Sequence, residues 1–252
     1  MQPYSWDSFL AYHARRAIPG VEAVSATTYR RSAIIDGAAA IIEARRDGAG
    51  LTVSCNIPCD SHIDRLRRQF DLDADPAVID SHLAADPLLA PLVARHPGLR
   101  VPRAWDPFEL AVRAMVGQQV SVAGATTVTG RIAQRFGEAL ANGMGGGALH
   151  CLFPTAARLA DADIASLAMP GKRALAIIGL ARAVAGGDID LDRMGGLDEA
   201  IERLCALPGI GPWTAHYIAM RGLGMSDAFP PPAILASSAR RRRTAGSSAP
   251  GN

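Results

Sequence analysis

The spacing of apolar positions changes character near residue 75. Before that point, short apolar runs are separated by turns. Residues 8–17 predict a helix with Phe9, Tyr12 and Ala17 turned partly inward. Residues 32–42 and 50–57 predict strands: 38–44 is rich in alanine and isoleucine, 51–55 alternates, and glycines separate the two runs. A charged, helical pattern resumes over 61–70. Together these predict a small α+β lobe over residues 1–72.

Beyond residue 75 the pattern is almost entirely helical. Pro76 and the pair Asp86-Pro87 each predict a helix start, and Gly98 and Pro102 interrupt the chain. Asp106-Pro107 opens a helix whose Phe108, Leu110, Ala111, Ala114 and Met115 form one apolar stripe ending at Gly117. Residues 120–136 predict another helix, although Thr126, Thr127 and Thr129 are weak helix formers, so burial must hold it. Short helical pieces are expected over 154–159 and 163–167. Residues 172–185 predict a helix with Leu175, Ile178 and Ala181 on its inner side, and 198–206 predict one more. The helical region therefore runs over 73–228. Residues 229–252 are rich in Ser, Ala, Pro, Gly and Arg without a period, and disorder is expected there.

Composition narrows the class. The 252 residues are 49% apolar, enough for real cores. No apolar run is long enough to span a bilayer, and the first residues lack a basic stretch followed by an apolar one, so a cytoplasmic protein is expected. Cys55 and Cys59 form a C-x3-C pair with no second ligand pair at zinc spacing, and free buried thiols are expected for all four cysteines. A redox or metal protein using Cys55 and Cys59 lacks supporting ligands. The net charge is +2, and the only charges after Phe229 are the four arginines Arg240 to Arg243; without them residues 1–228 stand at −2. A DNA binder built on a broad cationic face is not supported. The arginine run reads as a solvated tail or as a source of salt-sensitive phosphate contacts.

The segment Leu207-Pro208-Gly209-Ile210-Gly211-Pro212-Trp213-Thr214 carries the clearest chemistry. Two glycines permit a sharp turn and close approach by another molecule. Pro212 suits the first position of a helix running over 213–222, and Ile210 would pin the turn between two helices. Free N–H groups at Gly209, Ile210, Gly211 and Thr214 then form an anion site without side-chain charge, suited to a DNA phosphate. The glycine-proline turn alone also fits a plain connector; the full helix-turn-helix unit is more specific.

From about residue 4 to 230 the chain resembles the 3-methyladenine DNA glycosylase II family of the helix-hairpin-helix superfamily. The likeness rests on Pro3-Tyr4-x-Trp6, Phe70-Asp71-Leu72, Pro97-Gly98-Leu99-Arg100-Val101-Pro102, Asp106-x-Phe108-Glu109, Gly117-Gln118-Gln119-Val120-Ser121, Phe153-Pro154-Thr155, Met169-Pro170-x-Lys172-Arg173 and the hairpin with Trp213-Thr214-Ala215-x-Tyr217, all in order. It implies an α+β fold: a small N-terminal α+β lobe, then a mostly α-helical helix-hairpin-helix glycosylase region, incomplete at the C-terminus.

The resemblance also implies a monomer that binds double-stranded DNA, flips out an alkylated base such as 3-methyladenine and hydrolyses its N-glycosidic bond. Many such bases are cationic and stack well on aromatic rings. By motif position Trp213, Tyr217 and Tyr12 would line the base pocket, although each also fits an ordinary core aromatic. Gln118 and Gln119 fall in the loop that fills the gap left by the flipped base; a simple interhelix loop is the alternative. No catalytic cofactor is implied, but a structural monovalent cation is, held by the backbone carbonyls of Cys205, Leu207 and Ile210. The family's essential aspartate falls at position 233, where this chain has Ala233. The likeness stops abruptly at Pro230, as a change of reading frame near that codon would produce. A DNA-binding module that does not excise is therefore the alternative function.

Overall fold

The computed structural model describes residues 3–48, 50–163 and 169–230. The N-terminal lobe opens with helix α1 (Trp6–Ala14), followed by strands β1 (Glu22–Val24), β2 (Thr28–Ile35), β3 (Ala38–Asp47) and β4 (Gly50–Cys55). The four strands form one antiparallel sheet in the order β1-β2-β3-β4. The run 32–42 is thus not a single strand. Asp36 and Gly37, at φ 49° and 79°, turn the chain between Ile35 and Ala38, which pair across the hairpin. Two adjacent residues at positive φ form the turn whose twist matches paired strands, and an Asp-Gly pair favours it.

Helix α1 is also differently placed from the expected 8–17. It buries Trp6, Phe9, Leu10 and His13, a stripe at positions i, i+3, i+4 and i+7. Ala17 lies beyond its end, and Tyr12 is half-buried on its flank. Trp6, Phe9, Tyr29, Ile35, Ile42, Leu66, Phe70 and Trp105 belong to the first core. Trp105 reaches that core from well beyond residue 72. A 3₁₀ turn (Asp60–His62) leads into α2 (Ile63–Gln69).

Helices α3 (Pro76–Leu83) and α4 (Ala90–Arg95) follow. Asp75 caps α3 by accepting the Ala77 and Val78 N–H groups. Asp86 accepts from Leu88 and Leu89 in a turn, and α4 begins only after it.

The helical region is built around α5 (Pro107–Val116), which buries every residue except Arg113. Asp106 caps it through the Phe108 and Glu109 N–H groups. Around it stand α6 (Val122–Phe136), α7 (Ala156–Ala160), α8 (Gly171–Ala185), α9 (Leu197–Ala206) and α10 (Pro212–Ile218), whose last turn widens into a π turn over Ala219–Leu223. In α6 the three threonines return their hydroxyls to the carbonyls four residues earlier, and only Thr129 is buried. In α8 the expected inward Leu175 is exposed, while Ala174, Ile177, Ile178 and Ala181 face the core. The helical piece expected over 163–167 lies, after Asp163, outside the described residues, as does the tail from 231.

All four cysteines are free; Cys151 is buried, whereas Cys55, Cys59 and Cys205 are only partly so. Among the described residues no helix is long and apolar enough to cross a membrane.

Candidate base-binding site and hairpin

Helices α9 and α10 are joined by a turn that the packing makes obligatory. Gly209 has φ +82°, and a Cβ there would stand 2.6 Å from the Cβ of Ala176 on α8. Ile210 is buried in the helical core and holds the turn down. Gly211 caps α10 with its Cα facing open space, so that point of the backbone can be approached. The Ile210 N–H is turned back to the Leu207 carbonyl at 3.2 Å and is not available to an anion. The N–H groups of Gly209, Gly211 and Trp213 have no backbone acceptor among the described residues. Thr214 is buried, with its hydroxyl turned inward to Gln118 at 3.1 Å.

Gln118 is therefore tied into the hairpin. Its side-chain amide donates to the Gly209 carbonyl at 2.9 Å as well as to Thr214, and its own carbonyl accepts from Arg173 of α8 at 2.6 Å. The neighbouring Gln119 is exposed and held at φ +60°, a conformation that non-glycine residues rarely adopt. The two glutamines thus differ: Gln118 braces the loop, and Gln119 stands free at its tip.

One turn into α10, Trp213 and Tyr217 stack with ring centroids 5.4 Å apart and planes 7° from parallel. Their i, i+4 spacing puts both on one helix face. Trp213 is 44% exposed. Both line a cavity of about 370 Å³ between the two lobes, and Tyr12 of α1 lines it as well. The Tyr12 and Tyr217 hydroxyls meet at 3.3 Å. The Tyr12 ring is not bare: the guanidinium groups of Arg16 and Arg221 lie 4.1 and 4.5 Å from its centroid.

The cavity also exposes a group of residues that periodicity could not reveal. Arg31 occupies an inward position of β2 between Tyr29 and Ala33, and is buried. It pairs at 2.6 Å with Glu109 of α5, which is 1% exposed. Arg113, one turn on, bonds Glu22 of β1 at 3.0 Å and Glu109 at 3.4 Å. Glu22 also accepts from the Tyr29 hydroxyl at 2.6 Å and the Ile18 N–H at 3.0 Å. Burial opposes the charge on Glu22, but Arg113 and Arg31 hold its pKa down at about 2. Burial, aided by Glu22, pushes Glu109 above the ordinary carboxylate value against the pull of Arg31 and Arg113. This network locks the two lobes together. Beside it, His13 packs between the rings of Phe9, Tyr12 and Tyr29 with neither ring nitrogen hydrogen-bonded. Burial lowers its pKa to about 3 and keeps it neutral.

Among the described residues no group of three or more His, Cys, Asp or Glu side chains could hold a metal ion. The carbonyls of Cys205, Leu207 and Ile210 are backbone donors of the kind that suits a monovalent cation. The Leu207 carbonyl already accepts the Ile210 N–H, which leaves it one lone pair.

Residues 1–106 match the family model of the AlkA N-terminal domain. The chain is 37% identical over 238 residues to the DNA-3-methyladenine glycosylase 2 of Escherichia coli, an alignment that covers 91% of this chain and 81% of that protein. It is 39% identical over 234 residues to a probable bifunctional transcriptional activator/DNA repair enzyme AlkA of Mycobacterium tuberculosis, covering 90% of this chain and 46% of that protein. The chain thus spans about half the length of the mycobacterial relative. Among solved structures, a 3-methyladenine DNA glycosylase from Archaeoglobus fulgidus matches with a TM-score of 0.77 at 21% identity, over 96% of this chain and 90% of the other. The 8-oxoguanine glycosylase/lyase of Clostridium acetobutylicum, solved with double-stranded DNA, matches with a TM-score of 0.71 at 21% identity, over 94% and 79%. At that identity the likeness is one of fold.

Proposed function

The chain belongs to the DNA-3-methyladenine glycosylase 2 family, and from that premise we propose that it acts as a monomer on duplex DNA, receives a flipped alkylated base such as 3-methyladenine between its lobes and hydrolyses the N-glycosidic bond. The observation that carries this reading is the Trp213–Tyr217 stack at the cavity, immediately after the hairpin turn. An aromatic pair placed there can hold a flipped base while the turn grips the strand it came from.

The grip needs no cationic face. The N–H groups of Gly209 and Gly211 at the start of α10 would donate to a phosphate oxygen, which suits a body with no basic excess. A monovalent cation held by the Cys205, Leu207 and Ile210 carbonyls would supply local positive charge to the same phosphate. Gln119, exposed and strained at its loop tip, would enter the gap in the duplex, while Gln118 holds that loop against the hairpin. In the reaction, the bond between the base nitrogen and the sugar breaks, and a water oxygen bonds to the sugar carbon. A base made cationic by alkylation, such as 3-methyladenine, leaves neutral with the electron pair, the proton lost by the water passes to solvent, and an abasic site remains.

A second reading, DNA binding without excision, is favoured by one observation. The cavity's two carboxylates, Glu22 and Glu109, are both engaged by arginines, and the family's aspartate position holds Ala233. One assay separates the readings: incubation with duplex DNA carrying 3-methyladenine, scored for both binding and abasic sites. Abasic sites that track the purified chain support the enzyme. Binding to the lesion without them supports the second reading, and no binding at all overturns both.

A further inference from the structure

Gln119 stands between the hairpin and the interlobe cavity. On one side Gln118 ties the loop between α5 and α6 to the hairpin, donating to the Gly209 carbonyl at 2.9 Å and the Thr214 hydroxyl at 3.1 Å. Arg173 of α8 secures the same stretch of backbone by donating to the Gln118 carbonyl at 2.6 Å. On the other side Gly117 and Val120 line the cavity together with Trp213 and Tyr217. The loop tip is thus held in place relative to both the turn and the aromatic pair.

The tip itself is polar. Gln119 is exposed at φ +60°, and Val120 beside it is exposed too. Among the described residues the Gln119 carboxamide has no hydrogen-bond partner. A non-glycine residue at positive φ is kept there by its surroundings, and such strain collects at functional sites. The group so displayed carries a donor and an acceptor side by side.

We infer that Gln119 pairs with the base left behind in the duplex when its partner is flipped out, and that its carboxamide serves any of the four bases by turning over. The inference rests on the base-binding reading given above. Flipping strips the opposite base of its hydrogen bonds, and polar groups left inside the helix without partners cost free energy. Each pairing edge presents a donor next to an acceptor: amino group and ring nitrogen in adenine and cytosine, ring N–H and carbonyl in thymine and guanine. A carboxamide meets either order, because rotation about its last torsion exchanges its NH2 and its carbonyl. An apolar side chain of the same length would fill the gap but leave that edge unpaired. The chain therefore tolerates every opposite base, yet gains from one being there.

The test uses the full chain and duplexes of one sequence carrying 3-methyladenine on a 2′-fluorinated sugar, which slows hydrolysis. Each of the four bases, or an abasic analogue, stands opposite the lesion. Dissociation constants are read by fluorescence anisotropy, and thermal melts establish that the variants fold. The unaltered chain is expected to bind the four base-opposed duplexes within about fivefold of one another. Gln119→Leu should weaken each of them by about five- to tenfold and leave the abasic-opposed duplex unchanged. Gln119→Glu, which offers acceptors only, should bind most tightly opposite guanine, whose edge has two adjacent donors, and least tightly opposite thymine. Equal losses opposite the bases and the abasic analogue, or no loss opposite either, overturn this inference and leave the base-binding reading intact. A wider spread among the four bases for the unaltered chain does the same, as does a Gln119→Glu variant that ranks guanine no higher than thymine. Failure to bind the lesion-bearing duplexes more tightly than undamaged duplex removes the base-binding reading, and this inference falls with it.

Discussion

The side-chain amide of Gln118 donates to the carbonyl of Gly209 at 2.9 Å, joining the loop between α5 and α6 to a turn 91 residues away. Because the same amide also reaches Thr214, one side chain holds both ends of the hairpin turn. Gln118→Ala leaves the Gly209 carbonyl and the Thr214 hydroxyl without their donor. It should cost about 1–2 kcal/mol, read from denaturant unfolding, and weaken binding to undamaged duplex DNA.

The two hairpin glycines should respond differently to alanine. Gly209→Ala forces a Cβ onto a residue at positive φ and against Ala176, and should destabilise the fold by about 2–4 kcal/mol. Gly211→Ala meets open space and should leave the melting temperature nearly unchanged while reducing DNA affinity. Equal melting losses in both variants would contradict the assignment of Gly209 to packing and Gly211 to approach.

Trp213 is half-exposed, and its ring stacks on that of Tyr217. Trp213→Ala should cost about 1 kcal/mol of stability. If the ring receives a base, the same change should weaken binding to lesion-bearing duplex by about 1–3 kcal/mol beyond its effect on undamaged duplex. Parallel titrations of the two duplexes measure the difference.

The buried network predicts a cost for breaking a single partner. Glu109→Gln leaves Arg31 charged and buried, and should destabilise the protein by about 3–5 kcal/mol. Replacing both residues together, as Arg31→Met with Glu109→Leu, should recover much of that loss. Denaturant curves of the single and double variants test it.

Acid should act through two groups in the same direction. His13 titrates near 3 in the fold, against an ordinary value of 6.5. Below pH 6.5 the unfolded chain takes up a proton that the folded chain refuses, so stability falls as the pH drops from 6.5 toward 3. Glu22 titrates near 2 in the fold, against 4.5. Its contribution is complete above pH 4.5 and is lost as the pH falls toward 2. His13→Phe, placed among the rings of Phe9, Tyr12 and Tyr29, should remove the upper part of this loss and flatten stability between pH 6.5 and 4.5. Melting temperatures across that range decide the point.

Local signals were readable wherever a few adjacent residues sufficed. Pro76, Asp106-Pro107 and the hairpin string marked helix ends because a cap or a turn is decided within a span of a few residues. The hairpin at Asp36-Gly37 was equally local, yet the apolar run on both sides masked it and suggested one strand. The stripe of α1 was displaced for a related reason: His13 occupies an inward position that a polar residue type does not advertise.

The sequence by itself therefore determined the class of the chain, several of its helix ends, the glycine turn at Gly209–Gly211 and the helical pairing of Trp213 with Tyr217. Only the tertiary structure decided what those parts face. Arg31 meets Glu109 across 78 positions, Arg113 meets Glu22 across 91, and Tyr12 meets Tyr217 across 205. Helical and strand periods specify which side of an element a residue occupies, but not which element lies opposite. The cavity's paired arginines and glutamates, the covering of Tyr12 and the separate duties of Gln118 and Gln119 all depend on that opposition. They arise where two lobes pack together, and no local pattern encodes that packing.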